Sequence, residues 1–175
     1  MGFYPMMKKE MMELFHSMKI LYIPIVFTLL TIMQPVTMKM LPNLLESTDL
    51  PPGSVISVPE PQAIDVMGTL LSKFGSLGSI IVILIVMGTI AGERASGVAS
   101  LVLSKPISYI GYFTAKGIAY SILVTISIFI AMVVSTYYTK VLFGDVDWGA
   151  ALLGTIAYVP ILLLIVLVQF SSEWR

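Results

Sequence analysis

Gly117 to Thr139, GIAYSILVTISIFIAMVVSTYYT, runs without a charged residue between Lys116 and Lys140. A helix needs about 20 mostly apolar residues to cross a hydrocarbon core of roughly 30 Å, so this run is read as a membrane span. Three further runs meet the same test. They are Ile20 to Met38 between Lys19 and Lys39, Phe74 to Gly92 between Lys73 and Glu93, and Trp148 to Ser172 between Asp147 and Glu173. The fold class expected is therefore all-α: a polytopic transmembrane bundle of four spans (20–38, 74–92, 117–139 and 148–172), forming one transmembrane domain over 1–175.

Composition points the same way. Of 175 residues 57% are hydrophobic and 11% charged, with a mean hydropathy of +0.95; a soluble domain averages roughly 45 to 50% apolar and about 25% charged. There is too little polar surface to cover a water-soluble domain. Ten Lys and Arg against ten Asp and Glu leave no basic excess, which excludes nucleic acid as a partner. The chain has no cysteine and a single histidine, His16, so neither a disulfide framework nor a metal site is expected.

The flanks set the orientation. Lys8, Lys9, Lys19, Arg94, Lys105, Lys116 and Arg175 fall on one side of the bilayer and Lys39, Lys73 and Lys140 on the other. By the positive-inside rule both termini are cytoplasmic, in a multi-pass protein of the plasma membrane. The segment from Lys39 to Lys73 is then external, and Pro42, Pro51, Pro52, Pro59 and Pro61 make it stiff and irregular. Pro24 and Pro35 are expected to kink the first span.

Two cytoplasmic segments stand out. Residues 1–19 contain an apolar stripe, Met7, Met11, Leu14, Phe15 and Met18, with Lys9, Glu10, Glu13, His16 and Ser17 on the opposite face. Such a helix lies in the headgroup plane. The loop 93–116 is too apolar to be a free linker: Val98, Leu101 and Val102 stand at helical spacing, Pro106 ends that short helix, and Tyr109, Tyr112 and Phe113 suit the interface.

Glu93-Arg94, Gly97, and Leu103-Ser104-Lys105-Pro106-Ile107-Ser108, with Lys116 beyond, resemble the signature that follows the second span of type 2 ABC transporter permeases. The leading amphipathic helix is similar as well, and the likeness covers residues 1 to about 170. Val98 and Tyr109 depart from the family's commoner Thr or Ser and Arg. The resemblance implies the membrane-spanning permease subunit of an exporter, paired with a separate ABC ATPase subunit and with a second permease copy or homologue. It also implies that the loop presses on the ATPase, which makes Glu93, Arg94, Gly97, Val98, Leu101, Val102 and Pro106 the candidate coupling residues. Glu93 would join helix and loop rigidly, Gly97 would allow the turn and Pro106 would end the contact helix. The family usually has six spans, so four imply a truncated reading frame.

No catalytic constellation is present. Gly92-Glu93-Arg94-Ala95-Ser96-Gly97 imitates the start of a phosphate-binding loop, but Val98-Ala99 stands where Lys-Ser/Thr is required. ATP is therefore expected in the partner subunit, with no cofactor here. None of the four runs carries a charge, which disfavours a proton-coupled carrier. Gly88 and Gly92 form a Gly-x-x-x-Gly pair suited to packing within the bundle, with a dimer seam as the alternative. For Gln34 and Gln169, packing hydrogen bonds are at least as good an explanation as substrate contact. A second functional class stays open: a small helical membrane protein with an assembly, immunity or regulatory role and no ATPase partner.

Overall fold

A computed structural model describes residues 3–46, 62–95, 97 and 109–172. The chain is all-α, with, among the described residues, a short N-terminal helix, α1 (Phe3–His16), and four helical rods long and apolar enough to cross a membrane. The first rod is α2 (Lys19–Glu46). The second is built from α3 (Ala63–Lys73), a π-helical turn (Phe74–Gly78) and α4 (Ser79–Ala95). The third and fourth are α5 (Tyr109–Phe143) and α6 (Trp148–Ser172).

These rods are longer than the charge-free runs. At about 1.5 Å per residue the 35 residues of α5 extend roughly 52 Å, well beyond a hydrocarbon core of about 30 Å, so Lys116 and Lys140 lie inside the helix and not at its ends. The second rod likewise starts eleven residues before the predicted span, with exposed Lys73 within its length. Pro42, assigned by sequence to the irregular external segment, sits inside α2 with Pro24 and Pro35, and the helix continues through all three. The other four prolines of that segment, Pro51, Pro52, Pro59 and Pro61, lie outside the described residues.

Turns are set by local chemistry. Gly144 takes φ 92°, a left-handed value open to glycine, and donates its N–H to the Lys140 carbonyl at 3.0 Å, which closes α5. Asp147 starts α6 by accepting from the Gly149 N–H at 2.8 Å and the Ala150 N–H at 3.3 Å. Gln62 and Asp65 form a reciprocal capping box at the head of α3. Between α1 and α2, Met18 adopts φ 58°, uncommon for a residue with a Cβ.

Contacts fix the direction of each rod. Along α2 and α5, Lys19 meets Tyr120, Thr31 meets Ala131 and Ser135, and Lys39 meets Phe143. Both numbers rise together, so these two helices are parallel. Against the second rod the order reverses, since Lys19 meets Thr89, Phe27 meets Phe74 and Gln34 meets Thr69. The rods thus alternate in direction, first with third and second with fourth. One end of the bundle therefore gathers α1, the start of α2, the end of α4, the start of α5 and the end of α6.

Lipid supplies no hydrophobic drive between helices, so close packing and hydrogen bonds must hold them. Thr31 Oγ1 donates to the Ala131 carbonyl at 3.2 Å, and Ser135 Oγ donates to the Thr31 carbonyl at 3.1 Å, clamping α2 to α5. Gln34 Nε2 donates to Thr69 Oγ1 at 3.0 Å and Gln169 Nε2 to the Ile83 carbonyl at 3.4 Å, which are the packing roles expected of both glutamines. Glycine permits the closest approach at Gly154, where a Cβ would stand 2.6 Å from Leu71 Cδ1. The Gly88 and Gly92 pair behaves differently. Both are exposed and an added Cβ meets nothing within 4 Å, so the expected packing of this pair within the bundle does not occur among the described residues.

Candidate functional site

The end of the bundle that carries α1 concentrates its polar chemistry. On α1 the residues turned inward are Met6, Glu10 and Leu14, spaced by four along one helical face, with Met7, Met11 and Glu13 half-buried beside them. Phe15 and Met18 of the apolar stripe face away from the bundle. Glu10, assigned to the polar face, is 2% exposed. Glu10 turns inward because α1 packs on α5 and α2, and its partner surface includes a cation.

That cation is Lys116, 1% exposed, whose Nζ stands 3.1 Å from Glu10 Oε2. Lys116 Nζ also donates to Tyr112 Oη at 3.3 Å, one turn back on α5, and lies 5.1 Å from the Tyr112 ring centroid. From the outer side Lys9 approaches both carboxylates, 3.7 Å from Glu10 Oε1 and 3.7 Å from Glu13 Oε2, and sits 5.8 Å from the same ring. Both cations lie near the Tyr112 ring, Glu10 stands between them, and Glu13 pairs with Lys9 alone. Tyr112 is buried against Met6 and Ala115, so it belongs to the α1 seat and not to an interfacial aromatic belt.

A buried pair of this kind is nearly neutral in net stability, but removing one partner strands a charge at a cost of about 3–5 kcal/mol. The pair therefore acts mainly as a specificity device. It fixes where α1 sits on α5, in rotation and in register, because any other seat leaves Glu10 and Lys116 buried apart.

A second polar group lies close by. Lys19 Nζ donates to Tyr120 Oη at 2.8 Å and to Thr89 Oγ1 at 3.3 Å, joining the first residue of α2 to α4 and α5. Tyr120 and Thr89 are both buried, and the Tyr120 ring packs on Phe170 at 5.8 Å. Among the described residues, every helix that reaches this end is thus tied to α5.

The predicted coupling residues are only partly in view. Glu93 and Arg94 fall in the last turn of α4, which ends at Ala95; their side chains, and all of Val98, Leu101, Val102 and Pro106, lie outside the described residues. Gly97 takes φ 70°, the left-handed conformation expected of a turn directly after a helix. The chain leaves α4 and re-enters as α5 at the end of the bundle that holds Glu10, Lys116 and Lys19. Sequence reasoning missed those three residues, together with Thr89 and Tyr120.

Within the bundle, the cavity between α2 and the π-helical turn, lined by Gln34, Thr31, Phe74 and their neighbours, has about 20 Å³, room for roughly one water molecule. Gln34 Oε1 is buried beside it and accepts no hydrogen bond from the described residues. A solute larger than water does not fit there.

Comparison with known proteins places the chain among membrane proteins. It is 33% identical over 155 residues to the uncharacterized transmembrane protein YxlG of Bacillus subtilis (strain 168), an alignment that takes in 87% of this chain and 60% of that protein. The chain thus spans about 60% of the length of the curated relative it matches. No protein-family model matches the chain, and no solved structure does. Four apolar rods and a transmembrane relative make this a multi-pass membrane protein.

Proposed function

We propose that the chain is the membrane-spanning permease subunit of an ABC-type exporter, driven by ATP hydrolysis in a separate subunit, with both termini and the segment between α4 and α5 in the cytoplasm. One observation carries the reading. The α1 helix is keyed by Glu10 and Lys116 to the first turns of α5, immediately after the loop whose Glu93 to Ser108 pattern resembles the permease signature. A force applied by an ATPase to that loop would act on a seat joined rigidly to α2, α4 and α5. The long α5, packed against α2 over its length, would then transmit the movement toward the opposite face.

Within this reading Gly97 supplies the turn out of α4, Glu93 and Arg94 stiffen the junction, and Val98, Leu101 and Val102 form the contact surface, ended by Pro106. The test is co-purification. Full-length tagged chain, extracted from its native membrane in mild detergent, brings down an ABC ATPase in stoichiometric amount, and Gly97→Pro lowers the stimulated ATPase rate of that complex without reducing membrane insertion. Isolation with no ATPase at all would point to an accessory membrane protein instead.

A further inference from the structure

Lys19 differs from Lys116 in one respect: no carboxylate among the described residues pairs with it. Its contacts are the neutral hydroxyls of Tyr120 and Thr89 and the face of the Tyr120 ring, 5.5 Å away. An ammonium carries three N–H donors, and these two hydroxyls use two. Among the described residues the third donor and the net charge are left over, on a residue only partly buried at the first turn of a membrane-spanning helix.

Beside it lies an open groove of about 360 Å³ between α2 and α4, lined by Lys19, Tyr22, Leu84, Ile85, Gly88 and Thr89. Its composition is graded. Lys19 and Thr89 stand at the end of the bundle, whereas Leu84, five residues earlier on α4 and so about 7.5 Å deeper, is exposed and apolar. Gly88 between them presents no side chain, and a Cβ there meets nothing within 4 Å, so the floor of the groove is clear. The groove faces out of the bundle, where lipid stands.

We propose that this groove binds an anionic membrane phospholipid, its phosphate on Lys19 and the glycerol end of an acyl chain over Gly88 toward Leu84. Lys19, the one cation among the described residues that line the groove, complements a phosphodiester, and the apolar slope beneath it suits methylene groups that no soluble anion possesses. Tyr120 and Thr89 hold the lysine from behind, so it is a prearranged donor and not a free surface chain. The site stands on this geometry alone, whatever the chain transports.

The experiment is native mass spectrometry of the full chain, released from detergent containing equal amounts of phosphatidylglycerol and phosphatidylcholine with identical acyl chains. The expected result is one retained phosphatidylglycerol per chain, preferred by about fivefold, the worth of one lysine at an anionic surface. Lys19→Gln abolishes the preference and Lys19→Arg keeps it. Gly88→Leu fills the floor while leaving Lys19 and its hydroxyl partners in place, so it removes retention even if Lys19→Gln proves too unstable to measure. Lys8→Gln, on the exposed face of α1, changes nothing. Equal retention of the two lipids, a preference that survives both Lys19→Gln and Gly88→Leu, or displacement by equimolar inorganic phosphate would overturn the proposal. So would a dimer that Gly88→Leu dissociates without altering lipid retention, since the groove would then be a seam between copies.

Discussion

Glu10 Oε2 on α1 lies 3.1 Å from Lys116 Nζ on α5, and both side chains are almost wholly withdrawn from solvent. Two residues 106 positions apart thus join the amphipathic leader to the third span. A double-mutant cycle tests the join. Lys116→Met and Glu10→Leu are each expected to destabilise the detergent-solubilised protein, by about 3–5 kcal/mol where the change strands a buried charge. Glu10→Leu combined with Lys116→Met recovers most of that loss. Additive losses in a thermal or denaturant melt would show that the two groups do not interact.

The clamp between α2 and α5 predicts smaller effects. Thr31→Val and Ser135→Ala each delete one interhelical hydrogen bond and are expected to cost about 0.6–1.7 kcal/mol in unfolding assays. An unchanged stability in both variants would contradict the α2–α5 register described above.

Glycine substitutions separate buried seams from open faces. Gly154→Val forces a branched side chain onto Leu71 and is expected to destabilise by about 1–3 kcal/mol. Gly92→Ala meets open space and is expected to raise helix stability slightly, by about 0.5–1 kcal/mol, measured in the same melt. The reverse order would mean that α4, and not α6, provides the packed glycine face.

The alternation of the rods makes a topological prediction. The chain is free of cysteine, so single cysteines at Lys8 and at Gln62, both exposed and at opposite ends of the bundle, report one site each. With the cytoplasmic orientation proposed from the lysine and arginine distribution, Gln62→Cys reacts with a membrane-impermeant maleimide in intact cells and Lys8→Cys only after lysis. Labelling of both in intact cells, or of Lys8→Cys alone, would reverse the assignment.

The four rods were legible because a membrane span needs only length and the absence of charge, and the sequence from 117 to 139 has both. The limits of the rods were not. A charge was taken as the end of a helix, but Lys73, Lys116 and Lys140 lie inside helices that run past the hydrocarbon, where water, headgroups or a buried partner accommodate them. The α1 seat escaped for a related reason. Periodicity counts apolar residues, so Glu10 reads as polar-face even though its position with Met6 and Leu14 is a regular i, i+4, i+8 row. The matching row on α5, Tyr112, Lys116 and Tyr120, was equally visible, and it is the opposition of these two rows across a long sequence separation that no single-helix pattern contains. Gly88 and Gly92 show the converse: the motif marks a face where a neighbour can approach, and the described bundle places none there.

The central claim, that the segment between α4 and α5 receives an ATPase on the face of the bundle that carries α1, is tested most directly by photocrosslinking in living cells. A photoreactive residue introduced at Leu101 is predicted to give a covalent adduct with an ABC ATPase, and the same probe at Gln62, on the opposite end of the bundle, none. An adduct formed only from Gln62, or no ATPase adduct from Leu101 in a chain that inserts normally, would contradict the account.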